Sequence, residues 1–166
     1  DGAATQLEIA MNKMADAAEV QANMGALQIL QGEYEAAYET LSEVNASSNE
    51  VSGKVNAMKG SLEAKMGDYA KAKSSFASAT TNEDVIVNRG LTHLLSNDYT
   101  MAEAEFKQVE RADAYYLAAV TAARQGNAEN LIKNLKMSID EEPSYKEMAL
   151  NDMEFTNFAD AVGQAV

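Results

Sequence analysis

"GDYAKAKSSF", residues 67–76, decides how this 166-residue chain is read. Glycine, an acid and a tyrosine open it, and small residues lead to a phenylalanine. The pattern returns. "GEYEAAYETL" at 32–41, "NDYTMAEAEF" at 97–106 and "GNAENLIKNL" at 126–135 align with it without gaps. The four first residues are separated by 35, 30 and 29 positions, and seven positions upstream of each stands a small residue: Gly25, Gly60, Gly90 and Ala119. A period of roughly 20 to 50 residues marks stacked supersecondary units.

Each unit reads as two helices. Gly32-Glu33, Gly67-Asp68 and Asn97-Asp98 are expected to end one helix and cap the next. Glycine and asparagine tolerate the left-handed backbone of a helix end. The acid that follows sits favourably at the positive N-terminus of the next helix. Beyond the turn, Tyr34, Ala37 and Leu41, then Tyr69, Ala72 and Phe76, then Tyr99, Ala102 and Phe106 fall on one helical face, large-small-large. The alanine and the upstream glycine let the paired helices approach. The spacing predicts helices over 17–31 with 33–44, 52–66 with 68–80, 83–96 with 98–110, and 112–125 with 127–139. The loop "NASSNE" at 45–50 takes up the longer first period.

In this constellation the chain resembles the tetratricopeptide repeat family. "NMG" at 23–25 and "NRG" at 88–90 stand where that family has Asn-Leu-Gly; the glycine-acid-tyrosine turns match its second element, and "EEP" ending at Pro143 its closing proline. The resemblance covers residues 17 to 143. It departs in the early aromatic of the first helix, supplied only by Tyr115, and in having one closing proline. It implies an all-α right-handed superhelix of helical hairpins forming a single domain. Its repeats are 17–44, 52–80, 83–110 and 112–143, with a preceding half-repeat at 3–15 and a C-terminal cap at 144–166. In the cap, Leu150, Met153, Phe155 and Phe158 are available to cover the open end, since terminal repeats would otherwise expose their outer faces. The ending "ALNDMEF" is also similar to cell-envelope proteins of the Bacteroides group, which favours a bacterial periplasm or envelope over the cytoplasm.

Composition narrows the function. A hydrophobic fraction of 46 % with 23 % charged residues fits a packed domain, and no run approaches the roughly 18 to 20 apolar residues of a membrane span. The chain opens at Asp1-Gly2 without a methionine, so a mature form or an excised fragment is expected, and the missing signal segment decides nothing. The absence of cysteine removes disulfides, thiolate metal sites and cysteine nucleophiles. A net charge of −13 argues against nucleic acid, because phosphate binding needs clustered Lys and Arg. The charge is uneven: residues 1–50 carry one base against nine acids, 51–139 eleven against ten, and 140–166 one against seven. Acidic ends keep a sticky molecule soluble, or else leave the near-neutral middle as the place where something docks.

Convergent chemistry is scarce. His93, the single histidine, falls on the face that meets its partner helix; a structural role and a ligand or proton-transfer role are both open. Asp140, Glu141 and Glu142 read as a solvated run without the spacing of a calcium loop. "NDME" at 151–154 reads as a helix cap, and "NAS" at 45–47 is a formal glycosylation acceptor in a loop. Met11, Met14 and Met24 stand at helical spacing and are expected to fill core. No phosphate loop, dinucleotide fingerprint or nucleophile elbow is present. No enzymatic activity, metal or cofactor is expected.

What remains is a binding groove. The family resemblance implies that the first helix of each unit lines a concave side. Lys54, Ala57, Ser61 and Lys65 would face it from unit two, Val87, Leu91 and Leu94 from unit three, and Tyr116, Val120 and Arg124 from unit four. The strip in unit three is apolar enough to be either covered by the chain's own ends or left for a guest. Lys54, Lys65 and Arg124 would give it a cationic rim. Asn23 and Asn88 match the family's carboxylate clamp, but Ala22 and Ala26 stand where that clamp needs a base and an asparagine, so the clamp does not carry over. The expected role is a non-enzymatic scaffold for a protein or peptide partner, part of a larger bacterial protein. The alternatives are a glycan-associated envelope module, which the 7 % aromatic content and absent tryptophan disfavour, or a purely structural or oligomerising spacer.

Overall fold

The computed structural model describes residues 5, 6, 9 and 18–166. The expected half-repeat at 3–15, with Met11 and Met14, lies outside the described residues apart from Thr5, Gln6 and Ile9, which are helical. Ten α-helices, one 3-10 stretch and no strand make up the rest of the described residues: α1 (Ala18–Gln31), α2 (Tyr34–Glu43), α3 (Asn49–Lys65), α4 (Tyr69–Ala77), α5 (Glu83–Leu95), α6 (Tyr99–Phe106), α7 (Ala112–Arg124), α8 (Ala128–Glu141), α9 (Tyr145–Asn151), the 3-10 stretch Met153–Phe158, and α10 (Ala159–Ala165). They fall into two compact units, Asp1–Thr81 and Asn82–Val166.

The four joints share one backbone solution. Gly32, Gly67 and Gly126 have φ of 80°, 81° and 74°, and Asn97 takes the same left-handed region at 61°. At each joint two amide N–H groups turn back onto orphan carbonyls of the preceding helix. Gly67 donates to Ala64 and Asp68 to Glu63 at 3.1 and 2.9 Å, and Asn97 donates to Leu94 and Asp98 to His93 at 3.1 and 2.8 Å. Gly126 and Asn127 repeat this onto Ala123 and Ala122. A Cβ on Gly67 would meet nothing within 4 Å, so its requirement is purely conformational. Gly67→Ala is expected to destabilise the first unit by about 1–2 kcal/mol, the penalty of placing an L side chain in the left-handed region, measured by denaturant titration.

The capping is less uniform than the repeat suggests. Asp68 and Asn127 do cap α4 and α8, their side-chain oxygens accepting from the N–H of Lys71 and Asn130 at 3.2 and 3.0 Å. Glu33 makes no side-chain cap, its longer arm being poorly suited to reach back onto its own helix start, and Asp98 turns instead toward His93.

In unit 1, α1 packs on α2 and α3 on α4, with the two pairs side by side. Ala37, Leu41, Ala72 and Phe76 are fully buried. A Cβ on Gly25 would stand 2.5 Å from Leu41, and one on Gly60 3.0 Å from the ring of Phe76. The glycines are therefore sockets for the large residue that ends each second helix. Glu63 of α3 is buried too. It accepts hydrogen bonds from the Tyr38 hydroxyl at 3.0 Å and the Ser75 hydroxyl at 2.6 Å, joining α2, α3 and α4.

In unit 2, α5 packs on α6 and α7 on α8. Asn82 caps α5 by accepting from the Val85 N–H at 2.9 Å. Phe106 fills the space opposite Gly90, where a Cβ would come within 2.6 Å of its ring. Arg111, in the link before α7, pairs with Asp113 and with Asp84 of α5, its nearest contact to each at 2.6 Å. Both carboxylates raise the Arg111 guanidinium above its already high range. Ser138 of α8 donates to the Ala112 carbonyl at 2.8 Å and closes the last hairpin.

After Pro143 the chain folds back, and α10 packs against α8. The residues that cover this end are only in part the ones the sequence suggests. Phe155 is buried and Phe158 half-buried against the core, but Leu150 and Met153 are 57 % and 87 % exposed. Ala149, Ala161, Val162 and Ala165 fill the space instead, because small side chains let α9 and α10 approach closely.

Candidate binding surface

The candidate groove residues separate into an accessible set and a buried set. In unit 1 the first helices α1 and α3 lie side by side, and the 35-residue period places Glu19, Ala22, Ala26 and Leu30 of α1 opposite in register to Lys54, Ala57, Ser61 and Lys65 of α3. Ala22 is buried, while Ala26, Ala57 and Ser61 are half-buried and form a floor of small side chains. Glu19, Lys54, Lys65 and Leu30 stand exposed around it, Leu30 at 84 %. The Ser61 hydroxyl is bonded to the Ala57 carbonyl at 3.1 Å, so the floor presents little unsatisfied polarity.

The cations at its ends are held by neighbours. Lys54 donates to Glu50 at 2.7 Å, one helical turn away, and this hydrogen bond raises its pKa, with Glu19 adding to the effect. Lys65 lies 4.4 Å above the Tyr34 ring of α2, a cation–π contact.

In unit 2 the corresponding strip is mostly core. Val87, Leu94, Tyr116 and Val120 are buried, and only Leu91 is half-exposed against them. The chain's own C-terminal segment lies on α7. The Tyr116 ring meets Tyr145 at 5.1 Å and Phe155 edge-on at 5.6 Å, and its hydroxyl donates to Asp152 at 2.5 Å. Burial first, then this bond to a carboxylate, pushes the Tyr116 phenol well above its ordinary range. Arg124 forks onto both oxygens of Glu154 at 3.0 and 2.6 Å, and that hydrogen bond holds the Glu154 carboxyl below its ordinary range. Of the three cations expected at a rim, each has an internal partner.

Sequence reasoning missed the buried charges. Arg89 of α5 forks onto Glu105 of α6 at 2.7 Å for both contacts, with the Glu105 side chain only 9 % exposed. Glu63 bridges three helices as described. Its bond from Tyr38 raises that phenol's pKa. Each acid reads in sequence as one more solvated helix residue. His93 is buried at the C-terminal end of α5 with its Nδ1 3.1 Å from Asp98, a bond that closes the joint. Among the described residues no group of three or more His, Cys, Asp or Glu is placed to hold a metal ion, and no helix is long and apolar enough to cross a membrane.

Residues 53–82 match the tetratricopeptide repeat family. No curated protein matches the chain. Among solved structures, a tetratricopeptide repeat protein from Parabacteroides merdae superposes with a TM-score of 0.73 at 18 % identity over 95 % of this chain. The chain spans 65 % of that protein's length. YrrB, described as a TPR protein with an unusual peptide-binding site, superposes with a TM-score of 0.70 at 13 % identity over 94 % of this chain and 90 % of its own. With four joints of one geometry, glycine sockets opposite Leu41, Phe76 and Phe106, and a match to the tetratricopeptide repeat family over the second hairpin, the chain has the all-α fold of stacked helical hairpins that these tetratricopeptide repeat proteins share.

Proposed function

We propose that the chain is a non-enzymatic module that binds a protein or peptide segment on the α1–α3 face of its first unit, as part of a larger bacterial envelope protein. The observation that carries this reading is the small-residue floor of Ala26, Ala57 and Ser61 between the exposed ends Glu19, Lys54, Leu30 and Lys65. A floor without large side chains admits a backbone closely, and rims of both charge signs and one apolar residue give it something to select. YrrB, which shares this fold, is described as having a peptide-binding site, and that likeness supports the same use here. The non-enzymatic part is supported by the titratable groups themselves: Glu63, Glu105 and His93 are each tied into a contact that holds helices together.

The test is selection of peptides from a displayed random library, followed by calorimetric titration against the chain and two variants. Ala57→Glu and Ser61→Arg put bulk and charge on the floor at half-buried positions, and circular dichroism confirms that each variant is folded before it is titrated. Selected peptides are expected to lose at least about ten-fold in affinity, roughly 1.4 kcal/mol. Peptides that bind both variants as well as the parent would sink the reading, and saturable binding to polysaccharides instead of peptides would favour the glycan alternative.

A further inference from the structure

The last part of the chain is fastened in an unusual way. Residues Met153–Phe158 form a six-residue 3-10 stretch. Such geometry rarely runs beyond about three or four residues, because its hydrogen bonds are poorer than those of an α-helix. Met153, Glu154, Thr156 and Asn157 are exposed, and Phe155 alone is buried. The stretch is fixed to α7 by side chains: Asp152 accepts from Tyr116, Glu154 receives both prongs of Arg124, and Phe155 sits edge-on against the Tyr116 ring. The Arg124 and Glu154 side chains are 28 % and 35 % exposed, and ion pairs that open to water are weak fasteners.

From the side of α7, the same contacts describe a receptor. A phenol hydroxyl donates to one carboxylate, a guanidinium fork takes a second carboxylate two residues later, and an aromatic face receives the ring of the next residue. Fork-to-carboxylate pairing selects geometry as well as charge. We propose that α7 carries a recognition surface for an acidic–aromatic segment of the form Asp-x-Glu-Phe, that residues 152–155 occupy it in cis as a strap, and that a partner segment of this chemistry binds by displacing them. The inference goes beyond the reading of α1 and α3 and stands or falls independently of it.

The experiment uses the whole chain with Asp152→Asn and Glu154→Gln together, which keep side-chain size while removing both strap charges. A fluorescent peptide with the sequence of residues 150–158 is titrated by anisotropy, and amide hydrogen exchange is followed at 153–158. The double variant is expected to exchange faster over 153–158 and to bind the peptide at least about ten-fold more tightly than the parent, because the cis competitor is weakened. Adding Arg124→Glu is expected to abolish that binding. Unchanged exchange at 153–158 would overturn the proposal, since the strap would then be held by the core and not by its α7 contacts. So would failure of the double variant to bind the peptide, or equal binding with and without Arg124→Glu. A dimer that grows with concentration and is lost in Arg124→Glu would make a second copy the occupant, and would equally overturn the partner assignment.

Discussion

Phe106→Ala is expected to lower the stability of the second unit by about 3–5 kcal/mol, the range for removing a buried phenylalanine. The ring is 1 % exposed and ends an eight-residue helix whose other buried residues are Ala102 and Glu105, so it is the main apolar anchor of α6. It sits where a Cβ on Gly90 would come within 2.6 Å of Cε1. That proximity gives a second, opposite test. Gly90→Ala should gain about 1 kcal/mol of helix propensity, yet the crowding against a buried ring should make it destabilising overall, by about 1–2 kcal/mol. Combining it with Phe106→Leu frees the space, and the double-mutant cycle should show coupling of at least about 1 kcal/mol. Denaturant titration followed by circular dichroism reads the parent and all four variants. A loss under about 1 kcal/mol for Phe106→Ala would mean that this socket does not hold the hairpin.

Arg89→Ala should cost about 3 kcal/mol, at the lower end of the range for breaking a buried pair. The reason is the survivor. Glu105 is 9 % exposed and loses its two-pronged partner, keeping only the Gln108 amide at 3.2 Å. A carboxylate left in that position keeps its desolvation without the compensating charge. Replacing both residues by apolar ones of similar size, Arg89→Met with Glu105→Leu, should recover most of the loss, because the penalty belongs to the unpaired charge and not to missing volume. Thermal unfolding compared across the two variants and the parent separates these outcomes; equal loss in both would contradict the account.

The joints of the hairpins were legible because they depend on backbone chemistry that few residues satisfy. Gly32, Gly67 and Asn97 announce a left-handed residue at the end of a helix, and the alternation of Tyr69, Ala72 and Phe76 announces a face. The same reasoning placed Glu33 and Asp98 at the starts of their helices, where they stand, but not the absence of a side-chain cap bond there, since an acid after a turn shows its charge but not which partner its side chain takes. Leu150 and Met153 look like cover for an open end, yet they stand in solvent while alanines take the contact, because burial depends on how closely the last helices approach. Within the candidate groove, Tyr116 and Arg124 read as lining positions of a surface either covered by the chain's own ends or left for a guest, and the sequence did not say which residues would cover it. Their occupation by Asp152, Glu154 and Phe155 involves residues 30 to 39 positions further along, beyond the reach of any local pattern.

The sequence by itself determined the helical hairpins and the joints that turn one helix into the next. These follow from φ preferences and from a periodicity that repeats within each unit. Only the tertiary structure decided which charges are buried and with whom, that Glu63 joins three helices, and that the end of the chain lies across α7. A carboxylate's environment is set by whichever distant side chains fold around it, and amino-acid order alone does not contain that distance.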